Sequence, residues 1–376
     1  MSIPTRAAGR VACLAAHSVE IIRANQASSG AYVASPNFPV YRYSWLRDGA
    51  FIADAMSRAG EIESAEAFFA WCSRTLLARA GTVDALIARR RAGSTIRHDE
   101  FLPTRYTVEG EETGEPWTDF QLDGYGAWLW ALDAHARRHA RPLDPCLPGA
   151  LVSARYITAF WDEPSFDWWE ERPDERHSST LAALHGGLTA VAGWAGATEQ
   201  VRRDAAGVAG VIRATVAADA ARNGCVAKWL GGSAVDASLL AVATPFRLLE
   251  PDDPLMAATL RSIEADLVRG GGVHRYLGDT YYGGGQWLLL AALLGWHYAE
   301  AGRPDDAWRE LAWVADRALP DGEFPEQVTE DLLAPGRLAE WEERWGPIAT
   351  PLLWSHAMFL TLALQLGVAR PRATRG

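Results

Sequence analysis

Residues 284–318 read GGQWLLLAALLGWHYAEAGRPDDAWRELAWVADRA. Apolar residues recur three and four positions apart on both sides of Gly302-Arg303-Pro304, and β-branched residues are scarce. That spacing predicts two helices, 284–301 and 304–318. Glycine stops the first and proline opens the second. A gap this short makes the two helices antiparallel neighbours. The same pattern recurs along the chain, predicting helices over 5–25, 47–60, 63–79, 123–138, 148–161, 178–195, 198–221, 236–243, 254–268 and 352–366, about twelve in all. Gly60 to Ser64 and Ala195 to Gln200 are equally tight connections. The long ones are 26–46, 80–122, 162–177, 222–235, 269–283 and 319–351. Six long loops separating six helix pairs suggest an all-α toroid with the long loops gathered at one end. The repeat is one of pattern, not of sequence. No Ser/Gly-rich or Pro-rich linker interrupts it, so residues 1–376 are expected to form one domain.

Bulk properties exclude several classes. The 376 residues are 49% hydrophobic and 22% charged, an ordinary globular balance. A net charge of −11 argues against nucleic acid and anionic membrane partners. No apolar run is long enough to span a bilayer. The four cysteines (Cys13, Cys72, Cys146 and Cys225) form no CxxC, so buried free thiols are expected, with no zinc site and no disulfide framework. The N-terminal stretch looks like an amphipathic helix rather than a signal peptide, giving a cytoplasmic expectation. Tryptophan is the outlier at 17 residues, which points to an aromatic-walled pocket.

Loops of this length in a compact domain are usually functional, and these hold the distinctive residues. YRYSWLRDGAF (41–51) sets Arg47 and Asp48 where a loop becomes a helix. A guanidinium fork beside a carboxylate can grip adjacent hydroxyls. The plainer reading is a helix cap paired with its neighbour. EPWTDFQLDGYG (115–126) supplies Trp117 and Asp123. FDWWEE (166–171) sets Asp167, Glu170 and Glu171 against Trp168 and Trp169. A carboxyl pressed on a flat apolar wall loses hydration and holds its proton longer, which suits a general acid. Indole faces also suit the apolar faces of sugar rings. A surface loop with an acidic pair fits that hexapeptide equally well. HRYLGDTYYGGGQW (274–287) carries Arg275, Tyr276, Asp279 and Trp287. Its glycines lack the GKS or GKT of a phosphate loop and follow no strand, which excludes phosphate binding. EFPEQVTED (323–331) supplies Glu326, and PLLWSHAMF (351–359) supplies Trp354. His135 and His139 stand i, i+4 on a helix, but Arg137 and Arg138 lie between them, so an exposed basic face is expected instead of a metal pair. Trp128, Trp130 and Trp194 are read as core.

These clusters, in this order and over essentially the whole chain, resemble glycoside hydrolase family 15, the glucoamylase-like enzymes. The resemblance implies an (α/α)6 barrel that hydrolyses α-glucosidic bonds from a non-reducing end with inversion, without metal or organic cofactor. By motif, SWLRD places terminal-glucose binding on Arg47 and Asp48, with Trp45 beside them. DWWEE places the general acid on Glu170, with Glu171 binding sugar or supporting it. RYLGDTYY places substrate binding on Arg275, with Asp279 and Trp287 as supports. PEQ places the general base on Glu326, and WSHA puts Trp354 at the pocket floor. Trp117, Asp123, Trp169 and Tyr276 complete the expected substrate-binding set. Inversion requires the two carboxyls roughly 6.5–9.5 Å apart, leaving space for a water.

The chain is expected to depart from many members in starting at the barrel's first helix, with no β-sandwich ahead and no starch-binding domain behind. A short soluble gluco-oligosaccharide, isomaltose first, is therefore the expected substrate. Trehalose, maltose and starch are the alternatives within the family. A non-catalytic carbohydrate-binding relative is the alternative from another class. It would lack a catalytic glutamate, and both are present.

Overall fold

A computed structural model describes residues 5–115, 117 and 120–372. Pro116, Thr118 and Asp119 of the second cluster, and the last four residues of the chain, lie outside the described residues. Thirteen α-helices are present among those described: α1 (Thr5–Ala24), α2 (Leu46–Arg58), α3 (Ile62–Leu77), α4 (Ala80–Arg91), α5 (Asp123–His139), α6 (Leu147–Phe160), α7 (Ser178–Ala192), α8 (Glu199–Asn223), α9 (Pro254–Leu267), α10 (Leu288–Glu300), α11 (Pro304–Ala315), α12 (Leu338–Trp345) and α13 (Leu353–Gln365). A 3-10 helix spans Ala237–Val242 between α8 and α9.

Helix packing closes an inner ring. α2 packs on α5, α5 on α7, α7 on the 3-10 helix, that on α10, α10 on α13, and α13 back on α2. Outside them lie α1, α3, α6, α8, α9 and α11. This is the (α/α)6 barrel. The sequence decides which helix lies where. α10 (LLLAALLGWHYAE) and α13 (LWSHAMFLTLALQ) are apolar nearly all round and almost wholly buried. α8 buries only a stripe that includes Ala205, Ala209, Ile212 and Val216. Glycine permits a close crossing of α5 and α7. A Cβ on Gly126 would lie 2.3 Å from the Ala183 carbonyl oxygen, and one on Gly187 would lie 2.5 Å from that of Gly126.

The chain passes from outer to inner helix through each long loop and returns through a short turn. The N-termini of all six inner elements therefore open at one end, where the long loops gather. Two-residue antiparallel pairings tie those loops together, joining Ser44 and Trp45 to Tyr106 and Arg105, and Gln286 and Trp287 to Val328 and Gln327.

The structure corrects several expectations. Helix α4 lies inside the predicted 80–122 loop, where only Val83 and Leu86 are buried and the apolar period is correspondingly faint. Helix α12 lies inside 319–351 and buries nothing. Segment 236–243 holds a 3-10 helix, Ala237–Val242, instead of an α-helix, and Pro245, which has no N–H to continue a helix, follows it closely. His135 is buried, hydrogen-bonded to Ser57 Oγ at 2.9 Å, and not on an exposed face. Cys13 is exposed, while Cys72 and Cys146 are buried free thiols. Trp128 and Trp194 are core, as expected. Among the described residues no helix is long and apolar enough to cross a membrane.

Candidate active site

A cavity of about 560 Å³ opens among the long loops, within the roughly 300–1,000 Å³ typical of small-molecule sites. Trp45, Arg47, Asp48, Trp117, Trp169, Glu170, Glu171, Arg275, Trp287, Glu326 and Trp354 all line it. The three remaining expected residues stand one layer behind. Asp123 accepts from Arg47 Nη1 at 3.1 Å, with Gln121 Oε1 at 2.7 Å from the same nitrogen. Asp279 holds Arg275 in a bidentate pair, Nε to Oδ2 at 2.7 Å with Nη2 on Oδ1. The Tyr276 hydroxyl donates to Glu171 Oε2 at 2.6 Å.

The first turn of α2 carries Arg47 and Asp48. Arg47 and Asp48 are buried, with Nε 3.3 Å from Oδ2. Burial pushes Asp48 up to about 6, against the pull of Arg47. Asp123 and Asp48 outweigh burial at Arg47 and raise its pKa. Trp354 lies beneath the guanidinium at 5.4 Å, and Trp168 packs on Trp354 at 5.4 Å.

The hexapeptide 166–171 forms a tight turn aimed into the cavity. Asp167 Oδ1 accepts from the backbone N–H groups of Trp169 and Glu171, both at 2.9 Å. Glu170 and Arg172 take left-handed φ values of 64° and 49°, which a non-glycine residue adopts only when its surroundings enforce it. The enforcement comes from behind. Lys228 Nζ sits 3.1 Å from Asp167 Oδ2 and 2.9 Å from Asp236 Oδ2, and 3.8 Å over the Tyr276 ring. Asp236 in turn accepts from Trp169 Nε1 at 2.9 Å. Burial alone would raise Asp236, but Lys228 and the Ser238 N–H win and hold it below the usual carboxylate range. On the cavity side Trp45 Nε1 donates to Glu170 Oε1 at 2.8 Å.

Glu326 lines the same cavity from another loop. Its Oε1 accepts from the Tyr41 hydroxyl at 3.1 Å, and Tyr41 pairs with the Tyr281 hydroxyl at 2.9 Å. Its Oε2 is buried without a protein partner. Burial raises Glu326 to about 8, with Arg275 and the two tyrosines pulling the other way. The WSHA segment clamps the backbone that carries it. Ser355 Oγ donates to the Pro325 carbonyl at 3.0 Å, and His356 Nε2 accepts from Phe324 N–H at 3.0 Å. That bond leaves the His356 proton on Nδ1, directed at Ser18 Oγ 2.9 Å away. Among the described residues no three His, Cys, Asp or Glu side chains are placed to hold a metal ion.

Two carboxyls from remote loops thus face one indole-walled hollow, above a buried guanidinium and carboxylate. The sequence matches the profile of glycosyl hydrolases family 15 over residues 11–311. The chain belongs to that family. As a family 15 member it is a glycoside hydrolase. It is 48% identical over 369 residues to the isomaltose glucohydrolase of Kribbella flavida, covering 96% of this chain and 94% of that one. A solved glycosidase variant in complex with glucose superposes with a TM-score of 0.95 at 46% identity, over 98% of this chain and all of that one. A trehalase of Mycolicibacterium smegmatis is 25% identical over 63% of this chain and 36% of its own length.

Several residues of the cavity and of the layer behind it escape a motif reading. Tyr41 and Tyr281 stand at the edges of recognised clusters, yet nothing in their spacing couples them to Glu326. Lys228 carried a signal, being the single lysine of a chain that otherwise uses arginine. Trp341, Arg344 and Trp345 line the cavity from the overlooked α12. Their signal is a tryptophan pair four residues apart inside a charged run.

Proposed function

We propose that this protein is an exo-acting, inverting α-glucoside hydrolase that releases β-glucose from short α-linked gluco-oligosaccharides, with isomaltose its preferred substrate. The observation that carries this reading is that Glu170 and Glu326 line one cavity whose buried end is furnished with Arg47 and Asp48. Glu170, held by the Trp45 indole N–H, is the general acid. It gives its proton to the glycosidic oxygen as the C1–O bond breaks. Glu326 is the general base. Its Oε2 accepts a proton from the water whose oxygen attacks C1 from the opposite face, while Tyr41 holds Oε1. Proton exchange with solvent then resets both carboxyls. Arg47, Asp48 and Arg275 bind the terminal glucose, converting binding energy into orientation.

Support for isomaltose comes from the 48% identity to an isomaltose glucohydrolase over nearly the full length of both chains. Comparison of kcat/KM on isomaltose, maltose, trehalose and soluble starch tests the preference, and a clear preference for starch or trehalose overturns it. Proton NMR of the first product tests the stereochemistry, with β-glucose expected and α-glucose excluding these roles. Glu170→Gln is expected to lower turnover by about 10²- to 10⁴-fold with substrate binding still measurable.

A further inference from the structure

We propose that α12 is the platform for the leaving sugar, with Trp341 and Trp345 stacking on the ring released from isomaltose and Arg344 bonding its hydroxyls. This rests on the hydrolase reading above and extends it to substrate choice.

The cavity is graded from inside to outside. Its deep end is buried polar chemistry, with Arg47 5% and Asp48 7% exposed. An exo-acting enzyme seats the terminal glucose there, so the sugar beyond the scissile bond must lie toward the rim. The rim on the Tyr281 side is α12. Every residue of this helix is at least partly exposed. Its main packing partners are the 3-10 turns Tyr281–Gly283 and Pro335–Arg337. Trp341 and Trp345 are four residues apart, hence on one helix face, and both line the cavity with Arg344. Both indoles are only partly buried, packed on the small cluster of Phe38, Tyr282 and Ala349 outside the main core, and each keeps apolar surface free beside the cavity. Such apolar surface beside a site marks a binding face. Arg344 lies 5.3 Å from the Trp341 ring and 5.0 Å from the Trp345 ring. A guanidinium there offers several N–H donors to the hydroxyls of a ring stacked alongside.

The platform is tied to the chemistry. Trp341 meets Tyr281 edge-on at 4.9 Å, and Tyr281 bonds the tyrosine that donates to Glu326. The Tyr282 hydroxyl donates to the Gly346 carbonyl at 2.8 Å, fixing the end of α12 against the loop that carries Arg275. A leaving ring on α12 is therefore held in register with the two carboxyls.

The test compares isomaltose with α-glucosyl fluoride, whose leaving group has no ring to stack. For Trp341→Ala, Trp345→Ala and Arg344→Gln, the ratio of kcat/KM on isomaltose to that on α-glucosyl fluoride is expected to fall roughly tenfold, the size of one lost specificity contact. Fluoride turnover by each variant also shows that it is folded. Variants that lose both substrates in equal proportion, or neither, overturn the platform while leaving the hydrolase intact. A parent protein that cleaves neither substrate overturns both readings.

Discussion

At the scale of single residues, the cavity depends on where burial places protons. Glu326 is nearly closed off from bulk solvent, and its pKa rises to about 8. The base proposed above must be ionised to act, so activity is expected to fall as pH drops through that value. The ascending limb of kcat/KM against pH should then lie above the usual carboxylate range. The Tyr41–Tyr281 pair supplies the hydrogen bonding that favours the ionised form. Tyr281→Phe is expected to move the limb to higher pH and to lower kcat/KM at neutral pH, measured as a full pH profile. An unmoved limb would separate Tyr281 from Glu326. Glu310 obeys the same physics outside the cavity. It is buried on α11, and burial raises it from 4.5 to about 8. Between those values the unfolded chain sheds a proton that the folded chain keeps, so stability declines as pH rises. Glu310→Gln is expected to leave the Tm unchanged at about pH 4 and to raise it by several degrees at about pH 8.

At the scale of elements, the 166–171 turn shows how a strained loop is held. Its left-handed Glu170 is stabilised by Asp167 within the loop and by Lys228 and Asp236 from the 3-10 helix side. Lysine suits this position, because its compact ammonium fits between two carboxylates and over a ring where a planar guanidinium would not. Lys228→Met would leave two buried carboxylates without their cation. The expected cost is about 3–5 kcal/mol in denaturant unfolding. A fall in kcat on isomaltose larger than the change in KM should accompany it, because the turn no longer fixes Glu170. Unchanged stability would contradict this account. The motif residues of this turn were legible in the sequence. Their restraint was not, since Lys228 lies 61 residues beyond Asp167 and meets it only in the fold.

At the scale of the whole molecule, the barrel is a ring of inner helices packed closely enough to bring six loops to one mouth. The α5–α7 crossing is close because Gly126 and Gly187 face each other there. Gly126→Ala drives a methyl group into the backbone of α7. We expect a loss of about 1–3 kcal/mol in stability, together with reduced kcat, because α5 positions Asp123 behind Arg47. Thermal unfolding and steady-state kinetics check both, and a neutral substitution would show that the ring relaxes freely.

The sequence alone determined the alternation of helix and loop, because a 3.6-residue apolar period and a glycine-proline break are local signals. It likewise determined which loops carry the acidic, basic and indole side chains, since those motifs are contiguous. It left α4 hidden, because α4 buries too little apolar surface to leave a period, and α12 hidden, because its apolar face spans only eight residues of a charged run. Tertiary structure decided everything that needs two distant segments at once. It set Glu326 and Glu170 on one cavity, Tyr281 beside Tyr41, and Lys228 between two aspartates. Ring closure fixes those meetings, and the energy that enforces them comes from packing of inner helices whose own residues carry no trace of the loops they align.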